Sequence, residues 1–290
     1  MVKGDPLRRS TLGKACQALR ARRGSKRGPD GALRVRRSVV GAGHRRRSAA
    51  GDPPRSQAQG DPRLQLERTW AHVTGGAADE AEKLLAGGFL SVKPRLGHPN
   101  LEQDLAVTRA VRRRLPDAIE LPVDYNQALT VAEAIRRGRA LEGEGIAWLE
   151  EPIRHDDYAG NATVARALAV PVQIGENFNG PEAMIEALAA RACDYVMPDV
   201  SRIGGVSGWI QAAGIAAAHG IEMSSHLLPE ISAHLLAASP TCHYLEYVDW
   251  ADAILEEPLQ IQDGLARVPD RPGIGLTWRS EAVKALSLDR

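Results

Sequence analysis

The feature that most constrains this sequence is a recurrence: short apolar runs that each end on a polar, mostly ionisable residue. The runs are Leu90-Ser91-Val92-Lys93, Leu121-Pro122-Val123-Asp124, Ile146 to Glu150, Val172 to Glu176, Tyr195 to Asp199, Met223 to His226 and Tyr244 to Glu246. Between them lie helical patterns at about 102–115, 130–143, 181–191, 206–218 and 229–238, with Pro181 where a first-turn proline belongs. Strands alternating with helices of this length predict parallel βαβ units. Charged groups at the ends of buried strands are costly unless they converge on a site. An open doubly wound sheet brings only a few strand ends to its ligand. A closed barrel brings them all to one mouth, so seven consecutive polar ends favour the barrel. Its first strand should lie near residues 63–70, where Leu64, Leu66 and Trp70 give a degraded pattern.

The formal charge of +1 over 290 residues hides an asymmetry. Residues 1–60 hold thirteen Arg and three Lys against three Asp, a net +13 that leaves −12 on the rest. They contain no Phe, Trp or Tyr. Such a segment buries too little apolar surface to offset the entropy of ordering it, so disorder is expected there. The predicted organisation is a basic, disordered or non-native segment at 1–60, a barrel at 61–250 and a C-terminal hairpin and tail at 251–290. The hairpin is signalled by Asp263-Gly264 between alternating runs. Its apolar side is expected to be exposed. Cys16, Cys193 and Cys242 have no ligand spacing and point to a reducing cytoplasm. No apolar run reaches membrane-spanning length. The basic segment could contact phosphates non-specifically, yet it has no aromatic platform or zinc spacing, which argues against nucleic-acid binding.

Asp124, Glu150 and Glu176 end three successive strands. Three carboxylates on adjacent staves repel unless a hard divalent cation neutralises them. Mg²⁺ suits such oxygen donors, with Mn²⁺ as the alternative. Asp199 and His226 end the next two strands. A carboxylate beside an imidazole fixes its tautomer and raises its basicity, which suits proton transfer near neutrality. His234 and His243 fit structural roles better. Glu246 closes the last strand, where it can accept a hydrogen bond or, if protonated, donate one. Lys93 and Arg95 lie two apart on one strand face and make an anion site opposite the metal. These parts together suit abstraction of the proton α to a carboxylate.

The stretches "VKPRLG" from Val92, "VDYNQ" from Val123, "WLEEP" from Trp148 and "PVQIGEN" from Pro171 resemble the enolase superfamily, most of all mandelate racemase. The likeness continues through "MPDVSRIGGVSGW" from Met197, "MSSHLLPEISAHLLAASPT" from Met223 and "YLE" from Tyr244. The resemblance implies a TIM-like modified (β/α)₇β barrel with an α+β capping domain, although no cap is recognisable in this chain. It implies Mg²⁺ at Asp124, Glu150 and Glu176, and a general base at His226 tuned by Asp199. Glu246 would be the electrophilic acid and Lys93 the neutraliser of the substrate carboxylate. Asn126 and Arg202 would be substrate-binding positions. Relatives often form octamers, which leaves a homo-oligomer open.

Arg95 stands where the racemase has its second-base lysine. A guanidinium does not readily accept a proton. Sequence likeness places a mandelate-racemase-like isomerase of 2-hydroxy carboxylates first, whereas Arg95 favours an acid-sugar dehydratase that works from His226 alone. The remaining readings are a catalytically inactive barrel left by truncation or frameshift, and nucleic-acid binding through residues 1–60.

Overall fold

A computed structural model of the chain describes residues 63–68, 74–86 and 88–286. The expectations for residues 1–60 lie outside these. The elements alternate from the start: β1 (Arg63–Arg68), α1 (Thr74–Ala86), β2 (Val92–Pro94), α2 (Leu101–Arg112), β3 (Val123–Asp124), α3 (Val131–Leu141) and β4 (Leu149–Glu150). They continue with α4 (Tyr158–Ala167), β5 (Val172–Ile174), α5 (Gly180–Ala190), β6 (Tyr195–Val196), α6 (Gly205–His219), β7 (Glu222–Met223), α7 (Pro229–Ala238) and β8 (Tyr244–Tyr247). A hairpin, β9 (Gln260–Gln262) and β10 (Leu265–Arg267), and the short α8 (Ser280–Ala285) follow.

The eight strands from β1 to β8 close on themselves. β3 to β7 pair in sequence order, all parallel. Parallel bridges Ser91↔Glu120 and Arg95↔Asp124 join β2 to β3, and Met223↔Cys242 joins β7 to β8. β1 completes the ring by pairing in parallel with β8 on one side and β2 on the other. The predicted first strand is therefore present despite its weak pattern. Backbone pairing on both flanks supplies what the side-chain alternation does not signal.

Helix boundaries follow local chemistry. The Asn100, Thr130 and Asp157 side chains accept from the backbone N–H three residues on and cap α2, α3 and α4. Pro181 and Pro229 open α5 and α7 in the first turn. Gly220, with φ 67°, ends α6 in the left-handed conformation.

The apolar core lies between the outer strand faces and the helices. Val92, Val123, Leu149, Val172, Ile174, Val196, Met223 and Leu245 point that way. Because strand side chains alternate, the intervening residues face the barrel axis. There Lys93, Gln173, Ser224 and Glu246 are all buried. The barrel axis is therefore lined with polar and ionisable groups.

The hairpin turns as the Asp-Gly signal predicts, with φ of 52° at Asp263 and 72° at Gly264. A Cβ on Gly264 would meet Leu90 Cδ1 at 2.3 Å, so the turn lies flat against the barrel wall. One expectation is corrected here. The apolar side of the hairpin is covered, with Leu259 and Ala266 in the core and Ile261 and Val268 packed against it. Pairing of β10 with β1 draws it in.

Candidate active site at the barrel mouth

The strand ends carry the candidate residues to one mouth, and the backbone there is strained. Asn126, Gln127, Glu151, Leu227 and Leu228 have φ between 36° and 66° although none is glycine. Each such residue costs about 1–3 kcal/mol and persists only where its surroundings over-determine it. All five directly follow the ends of β3, β4 and the segment bearing His226. Gly175 has φ 139°, and a Cβ there would lie 2.7 Å from the Phe178 ring and 2.9 Å from Met197 N. Only glycine lets the chain turn to present Glu176.

Two polar networks meet at the mouth. In the first, Lys93 is 1 % exposed. Its Nζ donates to Glu150 Oε1 and lies 3.0 Å from Glu246 Oε1. Gln173 Nε2 holds the other Glu150 oxygen at 3.1 Å. Leu227 N donates to Glu246 Oε2 at 2.7 Å. In the second, Arg95 lies 3.1 Å from Asp124 Oδ2. Asn126 N donates to Asp124 Oδ1 at 2.7 Å, and Asn126 Nδ2 reaches Glu176 Oε1 at 3.4 Å.

His226 links the two networks. Its Nδ1 is 3.0 Å from Asp199 Oδ2, and its Nε2 is 3.4 Å from Glu176 Oε2 and 3.9 Å from Glu246 Oε2. Burial alone would lower the His226 pKa. The Asp199 hydrogen bond and the charges of Glu246 and Glu176 outweigh it and raise the pKa to about 9. Burial likewise opposes ionisation of Asp199, yet hydrogen bonds from His226, Ser201 and Arg202 N hold it at about 2. The pair is an aspartate–imidazolium couple in this state. Drawing Glu176 away from Nε2 would remove the smallest of the three raising influences and lower the His226 pKa.

The structure thus brings Lys93, Arg95, Asp124, Asn126, Glu150, Glu176, Asp199, His226 and Glu246 to one mouth. Arg202 lies at its rim, donating to Asn177 Oδ1 and, at 3.4 Å, to the Glu176 carbonyl. Among the described residues no group of three or more His, Cys, Asp or Glu is arranged to hold a metal ion. Lys93 and Gln173 share Glu150, Arg95 lies against Asp124, and Asn126 reaches both Asp124 and Glu176. The donor set fits a hard divalent cation: three carboxylates, exposed by 0 %, 0 % and 7 %, on successive strands.

Glu151 and Asn177 escaped the sequence reading. Glu151 is fully buried, and Asn177 Nδ2 reaches both of its oxygens at 3.1 Å and Glu176 Oε1 at 3.2 Å. Burial, then the charge of Glu176, pushes the Glu151 carboxyl up. The doubled acid in Leu149-Glu150-Glu151 was the available signal. A period of two sends the second acid away from the axis, and only the left-handed turn at Glu151 brings it back. His234 has the structural role expected of it, with Nε2 3.0 Å from the Ile274 carbonyl.

A model of the family described as enolase C-terminal domain-like matches residues 76–283. The chain belongs to that family. The enolase C-terminal barrel is similar to L-talarate/galactarate dehydratase of Salmonella typhimurium, at 35% identity over 67% of this chain and 49% of the relative. It is similar to 3,6-anhydro-alpha-L-galactonate cycloisomerase of Streptomyces coelicolor, at 35% identity over 72% of this chain and 58% of the relative. Among solved structures it is similar to an enolase from alpha pretobacterium bal199 with bound Mg. There the TM-score is 0.75 and the identity 43%, covering 78% of this chain and 64% of that one. An enolase from Bradyrhizobium complexed with magnesium and mandelic acid gives a TM-score of 0.71 and 39% identity, over 78% and 62%. The chain spans about half the length of the curated relatives it matches. The superfamily resemblance and the barrel fold are both borne out, and no helix among the described residues is long and apolar enough to cross a membrane.

Proposed function

We propose that this enolase C-terminal barrel removes the proton α to the carboxylate of a 2-hydroxy acid, and that it acts as a dehydratase of acid sugars. Mg²⁺, or Mn²⁺ in its place, would be held by Asp124, Glu150 and Glu176. When bound, it would supply positive charge to the substrate carboxylate as the α carbon loses its proton.

The chain's own groups carry the rest. His226 Nε2 takes the α proton while Asp199 holds Nδ1 and keeps the ring aimed at the mouth. Lys93 Nζ and Glu246 face the substrate carboxylate and stabilise its growing negative charge. The imidazolium then returns its proton to the hydroxyl on the neighbouring carbon, which leaves as water. The resulting enol becomes a 2-keto acid, so the overall change is loss of one water molecule.

The observation that supports dehydration over racemisation is Arg95. It replaces the lysine that the resemblance to the racemase implies as a second base, and its guanidinium lies against Asp124. A guanidinium, protonated far above neutral pH, does not serve as a base at pH 7. The names of several relatives, dehydratases of talarate/galactarate, arabinonate and D-xylonate, are consistent with this choice. Relatives' names also include an epimerase and cycloisomerases.

The test is incubation of the full chain with Mg²⁺ and a panel of acid sugars and mandelate in D₂O. The expected result is keto-acid formation with one solvent deuterium at the carbon that lost its hydroxyl, and no mandelate racemisation. Exchange into both mandelate antipodes with no loss of water would refute the dehydratase reading. A chain that binds Mg²⁺ and turns over nothing would match the inactive-barrel reading.

A further inference from the structure

Gln173 is the single polar residue of β5, between Val172 and Ile174, both of which face the helices. It is fully buried inside the barrel, in register with Glu150 on one side and Tyr195 on the other. An amide can point either way about its last torsion, so its orientation has to be read from its partners. Nε2 lies 3.1 Å from Glu150 Oε2 and 3.0 Å from Met197 Sδ. Both are acceptors, and an ionised carboxylate is an acceptor only. Oε1 must therefore face a donor, and the Ser224 hydroxyl meets it at 3.3 Å.

The Ser224 hydroxyl has a single proton. Given to Gln173, it leaves the oxygen to accept. Tyr244 N reaches that oxygen at 3.3 Å, and His243 Nδ1 lies 3.0 Å away. His243 must then be protonated at Nδ1. Its ring is wedged among Trp148, Tyr195 and Tyr244, with centroids 5.3, 4.6 and 4.6 Å away. The hydrogen bonds all run one way, from His243 through Ser224 and Gln173 to Glu150. They cross the barrel from the aromatic cluster at the far end of the staves to the carboxylate at the mouth.

We propose that Gln173 is a positioning residue that holds Glu150 for a divalent cation, its amide locked by Ser224 and His243. This rests on the reading of Glu150 as a ligand given above. The chain accounts for why a buried strand tolerates a polar side chain here. Polar groups behind a metal ligand fix its orientation, and losing one typically weakens metal binding by about 10- to 100-fold. Lys93 occupies the other Glu150 oxygen and can swing away on its flexible stem. Gln173 has no such freedom, because both ends of its amide are held.

The test compares wild type with Gln173→Leu and Ser224→Ala in the full chain. Calorimetric titration with Mg²⁺ reads affinity, and long-range ¹H–¹⁵N spectra read the His243 ring nitrogens. In wild type, Nδ1 of His243 should carry a proton. In Gln173→Leu the Ser224 hydroxyl loses its acceptor and turns to His243. The Nδ1 resonance should then move to that of an unprotonated nitrogen, and the Mg²⁺ dissociation constant should rise about 10- to 100-fold. Ser224→Ala should weaken binding by less, and it carries the same test if Gln173→Leu does not fold. Unchanged Mg²⁺ affinity in a folded Gln173→Leu chain overturns the positioning role. An unprotonated Nδ1 in wild type overturns the directional chain. A wild-type chain with no Mg²⁺ affinity refutes the metal reading of Glu150, and with it the positioning role. The nitrogen spectra would still decide the chain itself.

Discussion

Replacing Lys93 with Met tests how the mouth holds its negative charge. Lys93 is 1 % exposed and stands between two fully buried carboxylates, Glu150 and Glu246. At an effective dielectric of about 20, a charge pair 3.0 Å apart, the Lys93–Glu246 separation, attracts by about 5–6 kcal/mol. Much of that is offset by the cost of dehydrating the ions. The measurable loss on removing one partner is the cost of stranding the others, about 3–5 kcal/mol. Lys93→Met keeps the bulk of the stem, so little of the loss comes from a cavity. Urea unfolding of both chains at pH 7 without divalent cation should show a deficit in this range. Adding Mg²⁺ at about one hundred times its dissociation constant should raise the variant's stability by about 2.7 kcal/mol. A deficit below about 1 kcal/mol would refute the reasoning.

Three further outcomes are expected. Asp104 is fully buried and accepts from Gly97 N, His98 N, Tyr125 Oη and Arg137, so Asp104→Ala should cost about 3–5 kcal/mol in urea unfolding; a cost under 1 kcal/mol would show that Glu133 alone satisfies Arg137. Burial, and then the charge of Asp194, raises the Cys193 thiol above its ordinary value, so a thiol reagent at pH 8 should leave it unmodified in the native chain and label it in urea. The folded pKa of Asp199 lies below its unfolded value of about 3.9. Its contribution is therefore present above that value and lost as pH falls toward about 2, so acid titration should destabilise wild type more than Asp199→Asn in that window.

The barrel was legible because charge at strand ends has few cheap explanations. Lys93, Asp124, Glu150, Glu176, Asp199, His226 and Glu246 mark seven staves, and the structure places all seven at one mouth. Helix α4 was missed. Its Gly160, Asn161, Thr163 and Val164 are weak helix formers, and it stands through the Asp157 cap and packing against its neighbours. β1 was only half legible, because its pairing depends on strands remote in sequence. The side-chain contacts that occupy the carboxylates were not legible at all. They depend on where Lys93, Arg95, Asn126 and Gln173 send their ends, which spacing along the chain does not encode. Glu151 needed a left-handed backbone that no local residue announces.

The place of β1 bears on how quickly the barrel can assemble. Arg63 sits beside Tyr244 and Leu66 beside Val92, so this stave joins the earliest and latest described parts of the ring. Such a contact cannot form until the remaining seven staves are almost in place, and the chain bears the entropy of that long loop beforehand. Closure should be the slow, late step of folding. Until it happens, β8 and β2 present unpaired edges on which another molecule's strand could be laid.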